Sequence, residues 1–329
     1  LTPAPLLRIS GPHTGPQTPY LQVRRRSDLV RLFGRSSPRI GEICQALIAG
    51  FRPRGRADLI HDFAAILPLT IICEMFGVPE ADRAAFRRWT LIIGGIEERT
   101  VAEQPRAWAE LGAYLSGLIR AKSRPGAAAV QTDLLAALIA VRDGGDRLSD
   151  TELLGMATVL LLAGHATTVN LIANAVLTLL RHPDQLAAIR ADPSLIDDAV
   201  EETLRYEGPV TNPMLRYTRQ QTRVGQITVP ANEVVILSLA AADRDPDRFT
   251  EPDTFDMRRT GQAHLAFGHG VHYCIGAPLA RLEARMAIPD LLADLPDLAL
   301  DHTEELRWRV GLPGRALHSL PITFTPTLS

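Results

Sequence analysis

The stretch AFGHGVHYCIGAPLAR, Ala266 to Arg281, sets a single cysteine among glycines directly ahead of a segment with helical periodicity. Phe267 lies upstream, and His269 and His272 stand close by. Backbone N–H groups and a helix N-terminus favour a thiolate, and glycines let the backbone approach a flat cofactor closely. Cys274 in that setting suits an axial ligand. Taken alone, a cysteine in a glycine turn is more often an inert buried residue, so the surroundings must decide.

Around this loop the chain is long enough for one large core: 329 residues, 46% of them hydrophobic, with no low-complexity linker to divide them. A formal net charge of -2, with both signs mixed along the whole length, makes no electrostatic case for nucleic acid or an anionic membrane. Neither is expected as a partner; a small molecule is. Lys122 is the only lysine, so a positively charged docking surface must use arginine. Cys44, Cys73 and Cys274 lie far apart, without disulfide density or CxxC spacing, which suits a reducing cytoplasm. Apolar runs are interrupted before membrane-spanning length, and LTPAPLLRIS lacks the features of a signal peptide. A soluble chain is expected.

Reading along the chain, PLLRIS and YLQVRRR flank a Gly/Pro-rich turn and suggest two short strands. Helical patterns follow in SDLVRLF, PRIGEICQALIAGF, DFAAILPLTIICEMFG (which Pro68 should bend or interrupt), EADRAAFRRWTLII and PRAWAELGAYLSGLIRAK, with a polar connection from Glu97 to Gln104. SDTE, with Ser149 as N-cap and Glu152 three residues on, predicts a capping box that opens a very long helix ending near Pro183. DQLAAIRAD and SLIDDAVEETLRYEGP predict two more helices, the second stopped by Gly208 and Pro209. RYTRQQTRVGQITVPANEVVILSL alternates with period two and predicts short strands; APLARLEARMAIPDLLADL predicts a helix, and WRVGLPGRALHSLPITF closing strands. The fold class is therefore mainly α with small β-sheets (α+β), organised as one domain over 1–329.

The cysteine loop resembles the haem-binding loop of the cytochrome P450 haem-thiolate monooxygenases. That pattern is Phe, two residues, Gly, one residue, His or Arg, one residue, Cys, one residue, Gly, and Phe267, Gly270, His272, Cys274 and Gly276 fill every fixed place. The resemblance implies a cytochrome P450 fold with a long central helix over haem b, and Cys274 as the proximal iron ligand. It implies further that Phe267 packs beside the sulfur, that His272 reaches a propionate, and that Gly268 and Gly276 belong to the cofactor-binding loop. Thiolate ligation pushes electron density onto iron and favours O–O cleavage. Glu202 and Arg205 in EETLR match the family's ExxR pair, implying a buried structural pair completed by an arginine in FDMRR, where the matching place is Arg259 and Arg258 is the second candidate. Alone, a pair at that spacing would be a solvated ion pair of little consequence. Arg216 in NPMLRYT matches a second propionate-binding position; without the resemblance it would be a surface strand arginine.

In the long helix, LLLAGHATTVN carries a polar notch, Gly164, His165, Thr167 and Thr168. AGHATT is similar to the family's oxygen-binding pattern. By that similarity Gly164 lets the helix pass over the haem face and Thr167 hydrogen-bonds the oxygen ligand or its water, whereas Thr168 bonds back to its own helix. Ala166 stands where an acidic residue normally helps relay protons, and alanine can do neither half of that work. Proton supply then falls to water, substrate or His165.

The resemblance runs nearly end to end, except for an initial helix and for a third helix, with only about Gly34 to Ser37 between segments similar to the second and fourth. These pieces are either lost or left out of the sequence; omission is favoured, because a haem without that cover would be strongly exposed. The implied activity is insertion of one oxygen atom from O2 into an apolar small molecule, as a natural-product tailoring hydroxylase or epoxidase fed by ferredoxin and ferredoxin reductase. Residues around Trp89 to Ile96 and Val210 to Leu215 are expected to line the pocket. Two alternatives remain: a nitric-oxide-reducing relative that uses NAD(P)H directly, suggested by Ala166, and a haem-less partner of a glycosyltransferase, which should have lost the cysteine loop.

Overall fold

A computed structural model describes residues 37–94, 102–124, 133–143, 149–212, 215–260, 263–310 and 314–327. The strands expected in PLLRIS and YLQVRRR and the helix expected in SDLVRLF lie outside them. The described helices are α1 (Ser37–Phe51), α2 (Leu67–Phe76), α3 (Arg83–Ile93), α4 (Gln104–Lys122), α5 (Leu134–Asp143), α6 (Asp150–Arg181), α7 (Pro183–Ala191), α8 (Ile196–Tyr206), α9 (Leu239–Ala242) and α10 (Ala277–Asp294).

Short antiparallel strands trim this bundle. β1 (Arg56–Asp58) and β6 (Ala299–Leu300) flank β9 (Pro321–Thr323), with both Arg56 and Ala299 opposite Thr323. β2 (Leu215–Tyr217) pairs with β5 (Val234–Ile236), β3 (Thr222–Val224) with β4 (Ile227–Val229), and β7 (Trp308–Val310) with β8 (Arg315–Leu317). The strands read from the sequence after α8 and in the tail are present; α5, β1 and β6 are additional to that reading.

The helix α6 organises the rest. Its capping box is formed: Glu152 N–H donates to Ser149 Oγ at 3.2 Å, and Ser149 N–H donates to Glu152 Oε2 at 2.8 Å. Through its first half Leu153, Ala157, Leu161 and His165 are buried at four-residue spacing, while Gly155, Val159 and Ala163 on the other side are exposed. From Leu171 to Leu179 every residue is buried. Two core clusters meet there: a larger one built from α1, α2, α4, α5 and α10, and a smaller one under α7, α8 and α10.

By length and composition α6 could cross a membrane, which corrects the expectation that no apolar run reaches that length. Burial between two core clusters supplies the reason for its apolar composition. The segment around Pro68 is interrupted, as its missing N–H requires. A π-helical turn covers Ile60–Ala64, with Ala65 N–H donating to Ile60 O at 2.8 Å, and α2 begins only at Leu67.

Gly77 ends α2 in the left-handed region at φ 64°. A Cβ there would lie 2.5 Å from Lys122 Nζ and 2.8 Å from Asp133 Oδ2. Those two atoms form a buried ion pair at 2.7 Å, so the only lysine in the chain is spent inside. Gly77→Ala should therefore cost more than the roughly 1 kcal/mol of a left-handed alanine. Denaturant unfolding of the two proteins measures the difference.

Candidate functional site

The cysteine loop is a tight return held by its own backbone. Cys274 N–H donates to Phe267 O at 2.9 Å, Gly268 N–H to Leu265 O at 2.7 Å and Tyr273 N–H to Gly270 O at 3.1 Å. Gly268 and Gly270 adopt φ of 72° and 69°, where a side chain would be strained. Cys274 is half-buried just ahead of α10. Burial pushes its thiol up, while hydrogen bonds from the Gly276 and Ala277 backbone and the positive charge of Arg281 draw it back down. A thiolate there has the end of an 18-residue helix and two N–H groups to stabilise it.

Glu202, Arg205 and Arg259 come together behind this loop. Arg205 and Glu202 pair in bidentate fashion at 2.7 and 2.8 Å, with side chains 2% and 4% exposed. Arg205 also donates to the carbonyls of Asp243, Pro252 and Thr254 at 2.9, 2.8 and 3.1 Å. Arg259 Nε lies 3.3 Å from Glu202 Oε1, and its remaining nitrogens bond Thr250, Glu251 and Thr254 carbonyls. Arg258 is not the third arginine; its backbone N–H caps Asp256.

Four further residues tie this region together, and none of them is singled out by the sequence motifs. Asp243, 2% exposed, accepts Leu265 N–H at 2.6 Å, fastening the chain ahead of Phe267 to the loop that holds Arg205. Glu201 bonds Arg281 and His264. The adjacent glutamates of EETLR are the signal available for Glu201, since neighbouring residues on a helix point in different directions and both could be anchored.

The notch in α6 divides into separate functions. His165 is 1% exposed, and its Nε2 lies 3.1 Å from Ala65 O, which can only accept, so Nε2 carries the proton. Ala65 sits in the interruption before α2, and the imidazole caps its carbonyl. Burial pushes His165 down to about 4, so the imidazole is neutral at pH 7 and bonded to the Ala65 carbonyl. Gly164 also faces a neighbouring helix: a Cβ there would meet Ile72 Cδ1 at 2.8 Å. The α6–α2 contact is therefore close at this glycine. Both threonines donate back to the preceding turn, Thr167 to Ala163 O at 2.5 Å and Thr168 to Gly164 O at 2.9 Å. Thr168 is buried, whereas Thr167 and Ala166 are half-buried beside the exposed Ala163.

The residues fit a haem on the chemistry of their donors. Cys274 is a single thiol just ahead of a helix N-terminus, which suits a thiolate ligand to a metal carried by a cofactor. Arg216, half-buried on β2, makes no ion pair among the described residues; its hydrogen bond is to Leu215 O at 3.4 Å. Such a guanidinium suits a carboxylate such as a propionate. His272 is exposed. Leu215, Ile236 and Leu237 on and beside the same two strands, and Val159 on α6, expose apolar surface that favours cover by an apolar group.

Trp89, expected from the sequence to lie near the pocket wall, makes a contact between helices. Its Nε1 donates to Glu110 at 2.6 Å and its ring packs on Phe86 and Tyr114, tying α3 to α4. Ile96, Pro213 and Met214 lie outside the described residues. Two surface cavities, of about 660 and 310 Å³, are lined by residues such as Leu298 and Trp308, and Glu207 and Arg244; neither includes Cys274 or Thr167.

Two outcomes follow from the buried groups. Glu202→Gln, which strands Arg205 without its counter-charge, should cost about 3–5 kcal/mol in unfolding experiments. His165 has a folded-state value of about 4 against 6.5 for the free side chain, so between these values the unfolded chain takes up a proton that the folded one does not. Stability is then full above pH 6.5 and falls as the pH drops toward 4, by roughly 3 kcal/mol at about 1.4 kcal/mol per unit. His165→Gln should remove that part of the slope in unfolding titrations.

Comparison with known proteins places this site in a family. The sequence profile described as Cytochrome P450 matches residues 95–295. Cytochrome P450 monooxygenase PikC of Streptomyces venezuelae is 49% identical over 302 residues, 91% of this chain and 70% of the relative. Vitamin D(3) 25-hydroxylase of Pseudonocardia autotrophica is 43% identical over 328 residues, 99% of this chain and 79% of the relative. The solved structure of tirandamycin C-bound P450 monooxygenase TamI superposes with a TM-score of 0.80 at 40% identity, covering 90% of this chain and 72% of that one. A cysteine loop at a helix N-terminus, a buried Glu–Arg–Arg cluster and these similarities lead to one assignment: the chain belongs to the cytochrome P450 family, as a monooxygenase of the bacterial, secondary-metabolite type.

Proposed function

We propose that the protein binds haem b through Cys274 and inserts one oxygen atom from O2 into an apolar small molecule, as a hydroxylase or epoxidase that tailors a natural product. The observation that carries this reading is the Cys274 sulfur placed against the Gly276 and Ala277 backbone at the start of α10. When bound, the haem supplies the activation of O2, which thiolate ligation promotes. Cys274, Phe267, Gly268 and Gly276 form its proximal cradle, and Arg216 and His272 bind its propionates. Glu202, Arg205 and Arg259 keep the supporting loops in place. The substrate class is supported by relatives: one is named for hydroxylating vitamin D(3), and another holds tirandamycin C. Electrons reach the site from a ferredoxin and its reductase, and the protein works in the cytoplasm as a single domain.

On the opposite side, Thr167 is the residue that handles protons. Its hydroxyl hydrogen is committed to Ala163 O, which leaves its oxygen lone pairs to accept a hydrogen bond and hold a water. Ala166 contributes no acid, and His165 is committed to Ala65. Water held by Thr167, or the substrate itself, therefore brings the proton. Ala166 also favours a second reading, direct reduction of nitric oxide by NAD(P)H. Rapid haem oxidation by nitric oxide with NADH and no redox partner would select that reading; no reaction would remove it.

The reduced, carbon-monoxide-bound protein should show the long-wavelength Soret band of a thiolate-ligated haem, and Cys274→Ala should abolish it. Absence of the band in the parent protein would sink the reading. Natural products that convert the ferric haem from low to high spin identify the substrate. Ala166→Glu should change the fraction of electrons that appear in product while leaving the carbon monoxide band in place. Unchanged coupling and turnover would mean that protons travel by a route that bypasses position 166.

A further inference from the structure

Behind the cysteine loop lies a charged cluster that the proposed chemistry does not use. Glu201 on α8 grips Arg281 on α10 through two bonds, Nε to Oε1 at 2.6 Å and Nη2 to Oε2 at 2.7 Å. The Arg281 guanidinium lies over the Phe267 ring, 4.5 Å from its centroid, and its Nη1 is 3.3 Å from Tyr273 Oη. Phe267 in turn accepts the Cys274 N–H through its backbone oxygen. An unbroken path of contacts therefore joins Glu201 to the residue that carries the sulfur.

His264 closes the cluster from the loop side. Its Nδ1 accepts Ala266 N–H at 3.1 Å, so Nε2 carries the proton and donates to Glu201 Oε2 at 3.1 Å. One carboxylate thus anchors the segment ahead of Phe267 and the guanidinium stacked on it. Arg285 Nη2 is also 3.8 Å from Glu201 Oε1, but its Nε has its own acid, Asp197 Oδ1, at 2.9 Å. Burial pushes the Glu201 carboxyl up, yet the Arg281 and His264 hydrogen bonds outweigh it and hold the group down at about 2, so it is ionised across the working range.

Arg281 is the cation whose charge reaches Cys274, where it favours the thiolate. A positive charge close to a thiolate-bound iron favours the reduced, more negative state, and a negative charge bonded to that cation cancels most of the effect. Outer-shell charge and hydrogen bonding are among the levers that set haem potentials. We propose that Glu201 and Arg281 are positioning residues that together set the reduction potential at Cys274: Arg281 braces Phe267 and supplies positive charge, and Glu201 orients that guanidinium and offsets its charge. The inference rests on the haem-thiolate reading above.

The test uses the full-length, haem-loaded protein and its Glu201→Gln, Arg281→Gln and double variants. The ferric/ferrous potential is followed by spectroelectrochemical titration, with the carbon monoxide band of each protein recorded alongside. Glu201→Gln leaves Arg281 uncompensated and should shift the potential in the positive direction. Arg281→Gln leaves Glu201 uncompensated and should shift it in the negative direction. The double variant should return close to the parent, a rescue that a purely structural role would not produce. Unchanged potentials in both single variants, or shifts of the same sign, would overturn the proposal. So would loss of the thiolate band from all three variants, because the pair would then only hold the fold. If the parent itself lacks the band, the haem-thiolate reading has failed and this proposal goes with it.

Discussion

A guanidinium that water barely reaches, that of Arg205, holds the region around the cysteine in one shape. Two carboxylate oxygens of Glu202 and three backbone carbonyls, from Asp243, Pro252 and Thr254, take up its donors. Burying such a charge is tolerable only when it is paired and fully hydrogen-bonded. The carbonyls belong to a stretch with little regular structure between α9 and the cysteine loop. With few helical or ladder bonds of its own, that stretch takes its conformation from the arginine it must satisfy. Asp243 carries the same constraint onward to Leu265, and Glu202 carries it to Asp256 N–H and Arg259.

The helix α8 therefore plays two parts through two adjacent glutamates. Glu202 turns toward Arg205 and the irregular stretch; Glu201 turns toward α10 and the cysteine loop. The two faces of one helix connect the structural arginine to the residues around the sulfur. Charge is handled differently at each. Around Arg205 it is neutralised and sealed away, whereas the Glu201 and Arg281 side chains remain partly open, 35% and 22% exposed, where their fields are partly screened by solvent.

α6 shows a comparable division. Its second half is apolar all round because two clusters cover it, and its first half is buried on one side only. The polar notch sits at the change. His165 and Gly164 point to α2 and the interruption before it, where they meet Ala65 O and Ile72. Thr167 and Ala166 stand toward the open side. A stretch that looks like one motif in the sequence thus serves two neighbours at once.

Hydrophobic periodicity and capping signals locate α6, α8 and α10, because local spacing and the SDTE box are properties of a few consecutive residues. The cysteine loop and the Glu–x–x–Arg pair are recognisable for the same reason. Local sequence does not show where His165 finds its acceptor, 100 residues away, or that Gly164 packs against Ile72. Nor does it show that Trp89 is drawn into a helix contact with Glu110, or that Glu201 meets Arg281 across 80 residues. The amino-acid sequence by itself determined the family and most of the elements, though not α5, β1 or β6, because family and elements depend on residue type and short spacing. Only the tertiary structure decided which polar groups face each other, because a buried charge or carbonyl takes whichever partner the packing of distant segments brings within reach.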